Sequence, residues 1–436
     1  MKTQFILLIL LITNNINSQT LKFKEKLFLP DSSNAYSFGK EIQIFENNSF
    51  IASSTNIFKR NGKIENNGGV YNIEKDKSDK WIIKQFIQSN DYNKSDHFGE
   101  SIRVEKDFLY ITASEQETDE NNQDSINNSG AVYIFIKDST NNWIQNQKIV
   151  PKNRFENLTF GSSIELKNNF LFIGARNKKN KIFNNESGLV YVFQKDENNI
   201  WIEYQILKAS DQNGENNFGR SVSCDNNFLF VGTQFTKYSE KKKKYILNSS
   251  VYIFKLSKNG FWEETQILIP NEIDNYFGEN IIVKNNCAII SARFSDFDTT
   301  NNNFIPTSGL VYIFKCDSLD KWFLTQKITA NDRGRLSEFG NSIKMYDSLL
   351  LIGAVGNQTD ENSRHQETDT GAAYLFKLDN NGYWQQIKKI VAFDRNVCDQ
   401  FGYKVEMDKK HILITAISDD LDEYDNKGSV YYYELE

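Results

Sequence analysis

The chain has 436 residues, 51 basic and 57 acidic, giving a formal net charge of −6, and it contains only three histidines. An acidic balance without a basic stripe excludes the electrostatic profile of a nucleic-acid binder. Three histidines leave little material for His-based catalysis or a His-rich metal centre.

Lys2, the apolar run from Phe5 to Ile12 and a polar stretch ending at Ser18-Gln19 have the form of an export signal over residues 1–19. Eight apolar residues fall short of the roughly 20 needed to span a bilayer, and no later run approaches that length. The expectation is an exported chain with no transmembrane segment, in which residues 20–436 form a single domain.

Downstream, Phe-Gly recurs seven times, at Phe38-Gly39, Phe98-Gly99, Phe160-Gly161, Phe218-Gly219, Phe277-Gly278, Phe339-Gly340 and Phe401-Gly402, spaced by 58 to 62 residues. A Val-Tyr-x-Phe-like run follows each, centred on Tyr71, Tyr133, Tyr191, Tyr252, Tyr312, Tyr374 and Tyr431. The six tryptophans, Trp81, Trp143, Trp201, Trp262, Trp322 and Trp384, each lie ten residues after one of these tyrosines.

Every repeat divides into four strand-like pieces, labelled A to D. Strand A follows Phe-Gly and alternates apolar positions, such as Ile102 with Val104 and Ile164 with Leu166. A short turn such as Asn168-Asn169 or Asn226-Asn227 leads to strand B (170–174, 228–232, 349–353), because Asn tolerates the left-handed conformation of tight hairpins. A loop, the tyrosine strand C, a second hairpin and the tryptophan strand D complete the unit.

Seven such units predict an all-β fold: a seven-bladed β-propeller of four-stranded antiparallel blades. The seventh repeat ends at Glu436 without a D strand, whereas Leu21 stands 17 residues before Phe38, the separation between Trp and Phe in most repeats. Residues 21–29 are therefore expected to complete the last blade and close the ring, leaving neither end as an open sheet edge.

These seven in-register Phe-Gly pairs, the Gly-Ala of Gly174-Ala175 and Gly353-Ala354, and the Gly-x-Val-Tyr strands resemble the FG-GAP repeat proteins, which include the integrin α-subunit propellers. The resemblance covers nearly the whole chain after residue 19. It implies a propeller used for extracellular recognition or adhesion. Integrin-type repeats can carry a calcium loop between strands A and B, but only two-residue turns such as Lys106-Asp107 stand there, so that loop is absent.

Length variation concentrates in the B–C loops, which in a propeller share a face with the D–A crossovers. Variable loops on a rigid scaffold are the usual seat of binding. Several of these loops are acidic, and Asp119, Asp296, Asp298, Asp360, Asp420, Asp422 and Asp425 are the candidate ligands if calcium is a cofactor, since it takes six to eight oxygens. Solvated polar loops are the competing reading, because none shows the Gly-containing Asp-x-Asp-x-Asp pattern.

An acidic or amide residue seven before Phe (Asp31, Asp91, Asn153, Asp211, Asp332, Asp394) reads as a turn-former, since it recurs in nearly every blade. The tyrosines and tryptophans read as packing between blades. Cys224 and Cys287 read as small apolar fillers, and no disulfide is asserted despite the even count, because Cys316 and Cys398 lie in a C–D hairpin and a D–A crossover, which emerge on opposite faces. His97 and His411 lack a Ser, Cys or metal-ligand partner pattern. Sequons begin at Asn47, Asn93, Asn127, Asn157, Asn185, Asn248 and Asn357.

With no catalytic motif, the expected function is recognition of an extracellular protein or polysaccharide through the B–C loop face, and the expectation is that the chain is not an enzyme. A polysaccharide-acting hydrolase or lyase on the same scaffold and a structural envelope or matrix role are the alternatives.

Overall fold

Residues 20–29, 36–46, 48–54, 68–78, 80–91, 96–176, 187–211, 217–239, 244–270, 276–364, 367–420 and 427–436 are described by the computed structural model. The expected export signal, 1–19, lies outside them, as do Asp31, Asn47, Asn93, Asn185, Asp422 and Asp425. All regular structure among the described residues is β-strand, in seven four-stranded antiparallel sheets. Among the described residues no helix is long and apolar enough to cross a membrane.

The first blade is typical: A (Tyr36–Phe45), B (Asn48–Ser54), C (Gly69–Lys75) and D (Trp81–Ile87) pair in sequence order. Neighbouring A strands touch all the way round, that of the last blade reaching that of the first, so the sheets form a closed ring. The last blade, Phe401–Met407, His411–Ala416 and Ser429–Leu435, takes its fourth strand from Leu21–Leu27, with Leu21 opposite Leu435 and Leu27 opposite Val430. The expected ring closure is thus formed.

The signature residues divide the packing between them. Each Phe of Phe-Gly stands against the Tyr of its own strand C, with ring centroids 5.0 Å apart for Phe401 and Tyr431, 5.1 Å for Phe277 and Tyr312, and 5.6 Å for Phe339 and Tyr374. Tryptophan reaches the other way. Trp262 packs edge-on against Phe172 and Trp322 against Phe230, each on strand B of the preceding blade. Burying rings of this size contributes about 1.5–3 kcal/mol each, so every blade is tied to itself through Tyr, and the six blades that carry a Trp are tied by it to the blade before.

A glutamine four residues after Trp adds a polar tie between blades. Gln326 donates to the carbonyl of Trp384 at 2.9 Å and accepts from its N–H at 2.9 Å, and Gln205 treats Trp262 the same way. Each tie satisfies backbone groups that outer strands would otherwise leave unpaired.

Phe-Gly needs its glycine because the backbone there is left-handed and crowded. Gly402 has φ +92°, and a Cβ on it would stand 2.2 Å from the carbonyl oxygen of Ala372. The Asn turns between A and B are also left-handed, at Asn168, Asn226 and Asn285. In blades 2 to 6 the A–B connection has two residues, as at Lys106-Asp107, and in the last blade it has three, 408–410.

One expectation needs correcting. In the fourth blade the segment after strand B is not a loop: B and C continue as Phe228–Ser239 and Lys244–Leu256, paired from Phe228 opposite Lys255 to Ser239 opposite Lys244. Its alternating Thr, Phe, Tyr and Ile supply the β propensity that extends the hairpin.

Candidate functional site: the loop face

B–C loops and D–A crossovers meet on one face. Hydrogen bonds join them directly: Asn157 N–H to the Asn127 carbonyl at 2.9 Å, Leu336 to Pro306 at 2.9 Å and Cys398 to Thr368 at 3.0 Å. Three loops, 114–130 in blade 2, 293–309 in blade 5 and 355–371 in blade 6, are described almost throughout.

An arginine from the following crossover clamps each of these loops. Arg333 donates to the Asp296 carbonyl at 3.4 Å and to Ser308 Oγ at 2.7 Å. Arg395 likewise holds the Gln358 carbonyl at 3.3 Å and Thr370 Oγ1 at 2.8 Å, and Arg154 bonds the Glu117 carbonyl and Ser129 Oγ. The loops are rigid presentations rather than slack connections, since a planar guanidinium fixes two points at once.

The acidic candidates act locally. Asp119 Oδ1 accepts from the N–H groups of Asn121 at 3.0 Å and Gln123 at 2.8 Å. Asp298 repeats this with Thr300 and Asn302, and Asp360 with Asn362 and Arg364. The bond from Gln123, with others from the loop backbone, holds the Asp119 carboxyl below its ordinary range. At Asp298 desolvation acts upward, but bonds from Thr300, Asn303 and the loop backbone outweigh it and hold the carboxyl low. Asp76, Asp138, Asp196, Asp317 and Asp379 make the same pair of bonds at the C–D turns. The motif is therefore a loop-former in which one carboxylate satisfies two backbone donors.

Asp296 accepts from the Thr307 N–H at 2.8 Å, and Asp420 adjoins the buried Asp419. Among the described residues no three His, Cys, Asp or Glu side chains are arranged to hold a metal ion. Asp422 and Asp425 lie outside the described residues.

Behind the loops, the crossover aspartates form a recurring cluster that spacing alone did not reveal. Asp332 accepts from Tyr374 Oη at 2.9 Å and from Lys389 Nζ at 2.7 Å, while Lys389 also reaches Thr359 Oγ1 at 2.6 Å. Burial acts upward on the Asp332 carboxyl, and the Lys389 bond and charge outweigh it, leaving the group below its ordinary value. Blade 2 repeats the set with Asp91, Lys148 and Thr118. In the last blade the lysine is Lys26 of the N-terminal strand, 2.8 Å from Asp394 and 2.7 Å from Asp419. The crossover acid is thus more than a turn-former: it ties a crossover, strand C and strand D together.

The last blade departs in one respect. In blade 2 the Gln116 amide donates to Asp96 at 3.0 Å, whereas the last blade puts the carboxylate Asp419 at this place. Its counterpart of Asp96, the buried Asp399, receives the Asn396 N–H at 2.6 Å. Burial, with the nearby charges of Asp419 and Asp394, pushes the Asp399 carboxyl up to about 7.

Strand A side chains line a polar central channel of about 920 Å³, in which Arg220 and Arg293 share Glu279 and Lys404 pairs with Glu41 at 2.7 Å. Cys224 is buried in the blade as expected, Cys287 packs partly against the core, and all four cysteines are free. His411 Nδ1 is 2.9 Å from Asp408 Oδ2, and His97 lies 3.6 Å from Glu115. Asn357 is buried and bonded to Tyr374 Oη, so that sequon is closed to modification in the folded chain, whereas Asn127 is exposed.

Residues 143–193, 201–254, 322–376 and 384–433 match the FG-GAP repeat family. Each match begins at a signature tryptophan and runs through the following Phe-Gly to strand C, taking strand D of one blade with A, B and C of the next. No curated protein matched the chain.

Proposed function

Because the chain is an FG-GAP repeat propeller protein, we propose that it is an exported recognition protein that binds an extracellular protein or polysaccharide through the face formed by its B–C loops and D–A crossovers. The observation that carries this reading is the Arg154, Arg333 and Arg395 clamping, which holds three acidic loops of differing sequence rigidly on a shared face. Preorganised loops bind at lower entropic cost than slack ones.

Binding, rather than turnover, is the reading the chemistry favours. Asp332 and Lys389 of this face are committed to each other and to Tyr374 and Thr359, so neither stands poised as an acid or base beside an open substrate position.

The test is a pull-down of extracellular material from the source organism on immobilised residues 20–436, compared with a variant in which 115–129 and 355–370 are replaced by short turns. Retention lost in the variant, with the circular dichroism spectrum unchanged, supports the reading. Equal retention by both chains overturns it.

A further inference from the structure

Resting on that reading, we propose that the part of the loop face contributed by blades 5, 6 and 7 takes a polypeptide segment in which lysine or arginine alternates with apolar side chains.

Four large apolar side chains stand out of this region: Phe304 at 61 % exposure, Leu336 at 43 %, Phe393 at 68 % and Val397 at 59 %. Single exposed apolar residues are ordinary, whereas a contiguous set on one face marks an interaction surface. Backbone contacts join the loops and crossovers that carry them. Leu336 is bonded to Pro306, two residues beyond Phe304. The Leu336 carbonyl lies against Gly356, at the start of the blade 6 loop. That loop bonds Cys398, the neighbour of Val397, through Thr368. Phe393, in the same crossover, packs tilted against Phe23 of the N-terminal strand, with ring centroids 4.9 Å apart.

The charge around these side chains selects the occupant. Residues 293–309, 331–339, 355–371, 392–401 and 417–420 carry a formal charge of −7, against −6 for the entire chain. Adding Lys26, Lys327 and Lys389, which reach up from the D strands, leaves −4. Among these acids, Glu361 and Glu367 stand exposed on the blade 6 loop. A surface both apolar and acidic is complementary to cationic groups spaced by apolar ones. It disfavours an anionic polymer by like-charge repulsion, and a second copy of this chain would bring acid against acid.

The probe is a fluorescent 16-residue peptide alternating lysine and leucine, with two controls: one with glutamate for lysine and one with serine for leucine. Anisotropy titrations against the full chain are expected to show binding of the Lys/Leu peptide, weakened by at least about fivefold in the serine control and absent for the glutamate control. The double variants L336S/V397S and E361Q/E367Q are each expected to weaken binding by at least about fivefold while the melting temperature stays unchanged. Equal binding by the wild type and both variants, or no binding of the Lys/Leu peptide, overturns the proposal. If the pull-down partner proves to be a polysaccharide whose retention depends on the loops, the peptide proposal fails while the loop-face reading stands. Retention independent of the loops removes both.

Discussion

Lys26 Nζ lies 2.7 Å from the carboxylate of Asp419, joining the first strand to the last B–C loop across 393 residues of chain. Asp419 is 2 % exposed and also receives Tyr431 Oη at 3.0 Å. Burial acts to lower the Lys26 ammonium, and hydrogen bonds to Asp394 and Asp419 overcome it, raising the group above its ordinary value. The pair therefore fastens the seam at which the ring closes. Lys26→Met should destabilise the chain by about 3 kcal/mol, the scale for stranding a buried partner charge. Urea unfolding of the two proteins measures this; a loss under about 1 kcal/mol contradicts a fastening role.

The two glycines at the blade 6–blade 7 boundary should resist any side chain. A Cβ on Gly371, at φ +82°, would stand 2.0 Å from the Phe401 carbonyl oxygen, and one on Gly402 would stand 2.2 Å from that of Ala372. Gly402→Ala is expected to cost about 2 kcal/mol or more. The midpoint of chemical denaturation checks it, and an unchanged midpoint would mean the blades separate easily.

Asp399 gives the fold a pH dependence of definite sign. The native carboxyl holds its proton up to about 7, whereas the unfolded chain releases it near the ordinary value of about 3.9. Between those limits the native state binds more protons, so stability falls as pH rises through the window and levels off above it. Asp399→Asn should remove this component. Melting temperatures from pH 4.5 to 8 for both chains test it, and identical slopes would mean that Asp399 is ionised throughout.

Gln326 should matter beyond its size. Its amide satisfies both the N–H and the carbonyl of Trp384, so Gln326→Leu removes two bonds and should cost about 2 kcal/mol, on the scale of about 1 kcal/mol for each net hydrogen bond lost. A double-mutant cycle with Trp384→Phe measures the coupling; additive losses would show that the tie and the ring act independently.

The repeat, the four-strand unit and the ring closure were legible because each is fixed by spacing: Tyr to Trp is always ten residues, and Leu21 stands 17 before Phe38. Spacing does not say where a carboxylate points. Asp332 sits where a turn-former belongs, yet its charge is turned inward to Tyr374 and Lys389, partners 42 and 57 residues away. Asp119, Asp298 and Asp360 look like cation ligands by composition, but they close their own loops, and the recurrence of aspartate five residues after the signature tyrosine, as at Asp138 and Asp379, was the available signal for that habit. The glutamine tie was also visible as Trp-x-x-x-Gln in five repeats, but its meaning depends on the neighbouring blade. The long hairpin of blade 4 was hidden by its lysine run, which interrupts the alternation that marks a strand.

The most direct test of the recognition face is hydrogen–deuterium exchange on the complex with whatever partner the immobilised chain captures. Protection confined to residues 114–130, 293–309, 355–371 and the crossovers beside them is the expected result. Protection that maps instead to the opposite face, on A–B turns such as 106–107 and C–D turns such as 379–382, would contradict it.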